Sequence, residues 1–132
     1  MSAAAEFARA LVVDDLADVR AWLAEALGAA FPGIEVDAVA SLAEAMARIE
    51  PPPQIALVDL GLPDGSGTQL IEALQKRGAG TLCIVATVFD DDAHLFPALR
   101  AGAQGYVLKD RDRDALTGML RSGMLHLTLE KR

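Results

Sequence analysis

Residues 55–67 read IALVDLGLPDGSG, and the fold is decided by how this stretch is read. Ile55, Ala56, Leu57 and Val58 form an unbroken apolar run, closed by one carboxylate, Asp59. Gly61, Pro63, Gly65 and Gly67 then interrupt regular structure. A short run with no polar face is a strand buried on both sides, as in a parallel sheet between two layers of helices. Asp59 then stands where the strand reaches the surface, which is where open parallel sheets bind ligands. Taken alone, Asp59 reads as well as an aspartate capping a turn. The rest of the chain decides between the two.

Working outward, the same alternation recurs. Phe7–Val13 (FARALVV) reads as a first strand, with Asp14 and Asp15 directly after it. Val19, Trp22, Leu23, Ala26, Leu27 and Ala30 follow the spacing of one buried helical face, with Trp22 read as core, and Phe31-Pro32-Gly33 stop that helix. Ile34–Val39 (IEVDAV) alternates apolar and other residues, as a strand with one wetter face does. Ser41–Glu44 (SLAE) is a capping box for a second helix with Leu42, Ala45, Met46 and Ile49 inward, ended by Pro51, Pro52 and Pro53. A third helix starts near Gly67, turns Leu70, Ile71 and Leu74 inward, and closes at Gly78 and Gly80.

Thr81–Val88 (TLCIVATV) has the β-branched content of a fourth strand. Asp90, Asp91 and Asp92 offer caps for a fourth helix carrying Leu95, Phe96 and Leu99 and stopping at Gly102. Pro97 predicts a loosened first turn or a late start, because it has no N–H and presses on the carbonyl of Ala93. Gly105–Leu108 (GYVL) is a fifth strand, followed by Lys109 and Asp110. A fifth helix spans about residues 112–122, with Leu116, Met119 and Leu120 inward and Gly123 at its end. Residues 1–6 read as a loose leader, 7–124 as one domain and 125–132 as a tail or the start of a linker. Strand then helix, five times, predicts a doubly wound (βα)5 three-layer sandwich with a parallel sheet. The flavodoxin-like order 2-1-3-4-5 is the natural choice.

The composition narrows the function. The chain has 132 residues, 52% of them hydrophobic, enough for one core. A net charge of −7 argues against direct nucleic-acid binding by this chain, because phosphate contacts need a basic face. No apolar run approaches the roughly 20 residues of a membrane span, and MSAAAEFARA is not a secretory signal. The single cysteine, Cys83, lies in the apolar run LCIVA and reads as a buried structural thiol in a reducing cytoplasm. His94 and His126 have no base or nucleophile beside them in sequence and read as solvent-exposed.

In a 2-1-3-4-5 sheet the strand ends bring together Asp14, Asp15, Asp59, Thr87 and Lys109. Clustered carboxylates repel, by about 4 kcal/mol per pair at ~4 Å and an effective dielectric near 20. A cation relieves that, and hard oxygen ligands open to water favour Mg2+, or Mn2+, over softer metals. With a hydroxyl and an ammonium in the same pocket, the set fits phosphoryl transfer with Asp59 as nucleophile. Singly, Asp14 reads as a helix cap, Thr87 as an ordinary strand residue and Lys109 as a surface charge.

The pieces VVDD (Val12–Asp15), LVDLGLPDGSG (Leu57–Gly67), ATVFDDD (Ala86–Asp92) and GYVLKD (Gly105–Asp110) resemble the receiver domain of bacterial two-component response regulators, over about residues 10–123. The resemblance implies that Asp59 is the phosphoacceptor, taking its phosphoryl group from a sensor histidine kinase or phosphotransfer protein. It implies that Asp15, Asp59 and the backbone carbonyl of Gly61 hold Mg2+, with Asp14 acting through water. Lys109 would contact the phosphoryl group, Thr87 would move to it, and Tyr106 would be the switching aromatic that turns inward. Such a chain catalyses only its own phosphorylation and dephosphorylation. It controls an output through the face of helix 4, strand 5 and helix 5, with a homodimer on phosphorylation as one form of that control.

GYVLKD and the short segment after it also resemble receivers that precede a LuxR-type helix-turn-helix output domain in transcription regulators. No such domain falls within these residues, so the chain reads as an excised receiver or a single-domain protein. Two departures from the family pattern stand out. Val88 follows the threonine where a small residue is usual, and should narrow access to the phosphoryl site. Asp110 follows the lysine where proline is common, so the Lys109–Asp110 peptide should be trans. The alternatives are a receiver-like interaction module that never takes phosphate, a flavodoxin-like cofactor enzyme and a phosphatase-like hydrolase. Two aspartates after strand 1 disfavour the anionic cofactor of the second, and the third lacks a further acid/base and a cap domain.

Overall fold

Five parallel strands run through the centre of the molecule: β1 (Arg9–Val13), β2 (Glu35–Val39), β3 (Ile55–Val58), β6 (Leu82–Thr87) and β7 (Gly105–Leu108). The computed structural model describes residues 7–89, 91–109, 116–118 and 120. The sheet order is β2-β1-β3-β6-β7. Counting the sheet strands alone, this is the expected 2-1-3-4-5. Between β3 and β6 lies a small antiparallel hairpin of β4 (Gly61–Leu62) and β5 (Gly65–Ser66). The glycines and proline of that stretch therefore do not end regular structure, as the sequence suggests; they shape a tight hairpin beside Asp59.

The apolar runs are continuous because both faces of the sheet are covered. Leu11, Val13, Ala56, Val58, Cys83 and Val85 point to one face. There they meet Leu42 and Ala45 of α2 (Leu42–Met46), Leu70, Ile71 and Leu74 of α3 (Gly67–Lys76), and Leu95 and Ala98 of α4 (Asp92–Ala101). Ala10, Val12, Ile55, Leu57, Ile84 and Ala86 point to the other face. They meet Leu23, Ala26 and Leu27 of α1 (Ala17–Ala30), together with Leu116 and Leu120 of a fifth helical segment. Each fully buried Leu or Ile contributes about 1.5–3 kcal/mol relative to exposure. β2 lies at the edge and is wetter: Asp37 faces Arg9 and Arg48 at 3.4 and 3.3 Å.

Several local expectations change. α2 ends at Met46, ahead of the three prolines, and Met46 is exposed. Its N-terminus is satisfied twice over. Ser41 caps the Glu44 amide, and Asp64 of the hairpin accepts from the Leu42 and Ala43 amides at 2.8 and 2.9 Å. α4 starts at Asp92 with Pro97 inside it, so there is no late start. Its buried stripe is Leu95 and Ala98, while Phe96 points outward. The α4 C-cap is Gly102 at φ 116°, in the left-handed region that glycine adopts freely. Trp22 is half-buried against the α1 side of the core. Of the fifth helix only 116–118 and 120 are described, so its ends lie outside the described residues, as do the Lys109–Asp110 peptide, Asp90 and His126.

Candidate functional site

β1 and β3 are neighbours in the sheet, with Val13 in register with Val58. The residues that follow them, Asp14 and Asp59, are therefore side by side. The Asp59 amide donates to the Val13 carbonyl at 3.0 Å and the Asp14 amide to the Val39 carbonyl at 3.1 Å. Both carboxylates are buried, while Asp15 next to them is exposed. One carboxylate oxygen from each of Asp14, Asp15 and Asp59 lies within 4.8 Å of the other two. The β6–β7 edge brings the counter-charge. Thr87 pairs with Leu108, and the Lys109 amide donates to the Thr87 carbonyl at 3.0 Å. From there the buried Lys109 side chain crosses to Asp14 Oδ2 at 2.5 Å and Asp59 Oδ2 at 3.2 Å.

The remaining oxygens are held by the loops. Asp14 Oδ1 accepts from the Leu16 amide at 2.9 Å, turning the chain into α1. The Gly61 amide donates to Asp59 Oδ1 at 3.4 Å. Gly67 packs so close behind the site that a Cβ there would stand 2.2 Å from the Asp59 carbonyl oxygen. Only glycine lets α3 begin at this place. Arg20, from the first turns of α1, donates to the Asp14 carbonyl at 2.8 Å.

The electrostatics follow from burial. Desolvation pushes the Asp59 carboxyl above the ordinary aspartate range; the Lys109 charge opposes this and the Asp14 charge adds to it. Burial alone would lower the Lys109 pKa. The hydrogen bond to Asp14 and the charges of Asp59 and Asp14 outweigh it, and the ammonium is held above the ordinary lysine value. One lysine thus faces two buried carboxylates with a third beside them. The donors are all carboxylate oxygens, the set a hard divalent cation takes, and excess negative charge remains for it to neutralise.

The residues expected at the switch are placed as follows. Thr87 is fully buried at the end of β6, its hydroxyl accepting from the Phe89 amide at 3.4 Å. Tyr106 is buried, its hydroxyl donating to the Phe89 carbonyl at 2.7 Å. Val88 is half-exposed, and the side chain lying against Gly61 is that of Phe89. His94 is not a lone surface residue: its ring stacks on Phe89 with centroids 4.0 Å apart, and Nδ1 is 2.6 Å from Asp91 Oδ1. Phe89, Arg20 and Asp64 were not singled out from the sequence, and Gly67 was read only as a break in regular structure and a helix start. For Gly67 the signal was present in the closely spaced glycines after Asp59; Arg20 acts locally, six residues from Asp14, and Phe89 and Asp64 depend on contacts across the fold.

A family model described as the response regulator receiver domain matches residues 10–121. The DNA-binding transcriptional activator DevR/DosR of Mycobacterium tuberculosis (strain ATCC 25618 / H37Rv) is 40% identical over 104 residues, covering 77% of this chain and 48% of that protein. The chain spans about half the length of the curated relatives it matches. Among solved structures, a CheY-like response regulator receiver domain protein from Methanospirillum hungatei JF-1 is 30% identical with a TM-score of 0.73, covering 96% of this chain and 99% of that one. A LuxR-family two-component response regulator from Aurantimonas sp. SI85-9A1 is 28% identical with a TM-score of 0.75, covering 89% and 85%.

Proposed function

This chain belongs to the response regulator receiver domain family, and from that premise we propose that Asp59 is its phosphoacceptor in a two-component phosphorelay. The observation that carries the reading is the Lys109 ammonium lying between the Asp14 and Asp59 carboxylates with Asp15 alongside. An Asp59 carboxylate oxygen attacks the phosphorus of a phosphohistidine on a sensor kinase or phosphotransfer protein. The P–O bond forms as the P–N bond breaks, and the imidazole nitrogen keeps the electron pair and takes a proton. Lys109 follows the transferred charge, moving its hydrogen bond from the carboxylate to a phosphoryl oxygen. Mg2+ (or Mn2+), held by Asp15, Asp59 and the Gly61 carbonyl, with Asp14 through water, would supply further positive charge to those oxygens.

The added phosphoryl carries about −2 charge. Thr87 and Tyr106 convey it: Thr87 turns to the phosphoryl oxygens and Tyr106 occupies the space behind it. The face of α4, β7 and the helical residues 116–118 and 120 then changes its partner preference. By analogy with the name of the DNA-binding transcriptional activator relative, the output is transcription control through a DNA-binding domain; a homodimer on phosphorylation is one form that control takes. A cytoplasmic setting fits this; among the described residues no helix is long and apolar enough to cross a membrane.

The test is incubation with acetyl phosphate and Mg2+ followed by intact-mass measurement. Wild type should gain one phosphoryl group and Asp59→Asn none. A wild-type mass that stays unchanged would favour an interaction module that works without phosphate.

A further inference from the structure

Residues 61–66 form a hairpin too small to hold its own shape: β4 and β5 have two residues each, Gly61 pairing with Ser66 and Leu62 with Gly65. Its two strands are held differently. Ser66 is fixed on α3, because its hydroxyl accepts from the Thr68 amide and its own amide donates to Gln69 Oε1, each at 3.1 Å. Gly61 is exposed, and it is held by its pairing across the hairpin and by the bond from its amide to Asp59 Oδ1.

The tip of the hairpin is gripped from outside. Asp64 Oδ1 accepts from the Leu42 amide at 2.8 Å and Oδ2 from the Ala43 amide at 2.9 Å, so both carboxylate oxygens bind the start of α2. The Ala43 and Leu42 amides hold the Asp64 carboxyl below the ordinary aspartate range. Gly65 packs beside them: a Cβ built there would be 2.7 Å from Leu42 Cδ2. The grip serves α2 as well. That helix has five residues, too few to persist on its own hydrogen bonds; Ser41 satisfies its Glu44 amide and Asp64 the two before it.

Resting on the metal and phosphoacceptor reading above, we infer that Asp64 is a positioning residue for the Asp59 site: by binding the Leu42 and Ala43 amides it anchors the hairpin that presents Gly61, so that the site and the start of α2 tighten together. With the tip anchored and Ser66 fixed on α3, Gly61 has one place beside Asp59. With the tip free, the Gly61 strand swings on its pairing to β5. Each further position of Gly61 must be given up when its carbonyl takes a cation, and that loss lowers affinity. Linkage makes the effect reciprocal: whatever factor the grip adds to cation affinity, a bound cation adds to the grip. The start of α2 therefore reports occupancy of the site, on the sheet face that α2 shares with α3 and α4.

The experiment compares wild type, Asp64→Ala, Asp64→Asn and Ser41→Ala, all first shown to melt cooperatively, by amide-resolved NMR on the unphosphorylated protein. Titration with Mg2+ gives its dissociation constant. Amide exchange at Leu42, Ala43 and Gly61 is measured in EDTA and in saturating Mg2+. Asp64→Ala should bind Mg2+ about fivefold more weakly and exchange faster at Gly61 in EDTA. Asp64→Asn keeps one acceptor oxygen and should fall between it and wild type. Ser41→Ala removes a cap of α2 that lies outside the hairpin; it should melt at lower temperature with Mg2+ affinity near wild type. In wild type, Mg2+ should slow exchange at Leu42 and Ala43 by about fivefold, and in Asp64→Ala that slowing should be absent. Unchanged Mg2+ affinity in Asp64→Ala would overturn the inference with the metal reading intact. Equal weakening in Ser41→Ala would also overturn it, because helix stability alone would then explain the effect. If wild type binds no Mg2+, the metal reading fails by itself. Gly61 exchange in EDTA then still decides about Asp64: faster exchange in Asp64→Ala supports the anchor, and unchanged exchange overturns it.

Discussion

Lys109 Nζ lies 3.2 Å from Asp59 Oδ2, and both side chains are buried. They follow β3 and β7, which have only β6 between them in the sheet, and the long lysine side chain spans that gap. The same ammonium is 2.5 Å from Asp14, so one cation serves two carboxylates.

That arrangement makes Lys109 costly to remove. Lys109→Met would leave two buried carboxylates without their cation, a change of about 3–5 kcal/mol in metal-free protein. Saturating Mg2+ should recover part of it. The Lys109 pKa is raised by its hydrogen bond to Asp14 and by the two carboxylate charges, against the lowering effect of burial. Its stabilising contribution is therefore complete below the ordinary lysine pKa of about 10.4 and is lost as pH rises through the higher folded value. Urea unfolding should show a wild-type advantage over Lys109→Met that is steady from neutral pH to about pH 10 and shrinks beyond it.

For Asp59 the fold favours the neutral form. Burial raises its folded pKa, so in metal-free protein its ionisation costs stability as pH rises from the ordinary aspartate value of about 3.9 through the folded one. Asp59→Asn should be the more stable protein at pH 7 without metal, by on the order of 1 kcal/mol. The two should converge in acid. With Mg2+ at about 100 times its Kd, wild type should gain about 2.7 kcal/mol, and the variant much less. Thermal melts with EDTA and with Mg2+ measure both.

Gly67→Ala sets two effects against each other. Alanine is the better helix former by about 1 kcal/mol. Yet its Cβ would fall 2.2 Å from the Asp59 carbonyl oxygen and 2.6 Å from Val58 Cγ1, where backbone must move. Overpacking of this kind costs about 1–3 kcal/mol or more, so the clash wins. The variant should unfold at lower urea and bind Mg2+ more weakly, because the atoms displaced belong to Asp59.

Pro97 sits inside α4 with no amide to offer the Ala93 carbonyl. Pro97→Ala should stabilise the protein by about 1–3 kcal/mol and slow amide exchange across 93–101. If α4 serves as the soft part of the switch, the variant should also show a smaller conformational response to phosphorylation. Exchange across α4 that is already slow in wild type would count against a soft helix.

The sheet and the acidic pocket were legible because they follow from short-range patterns. Apolar runs such as Ile55–Val58 and Leu82–Thr87 are continuous only when both faces are covered, and a residue after the last strand position can only lie at the sheet's edge. Facing and contact were less legible. Met46 and Phe96 fit an apolar stripe by spacing, but α2 is cut short at Met46, and α4 turns Ala98 inward where Phe96 was expected. The cap that Asp64 gives α2 and the ring that Phe89 lays on Gly61 join segments that are distant in sequence. No local propensity records such pairs.

The central claim is that the crowded carboxylates after β1 and β3 form a magnesium-dependent phosphorylation site with Asp59 as acceptor. Its most direct measurement is borohydride trapping after acetyl phosphate treatment, with peptide mapping, in Mg2+ and in EDTA. The expected result is modification at Asp59 alone, present with Mg2+ and lost with EDTA or in Asp15→Asn. Labelling at another residue, or equal labelling of Asp59 without metal, would contradict it.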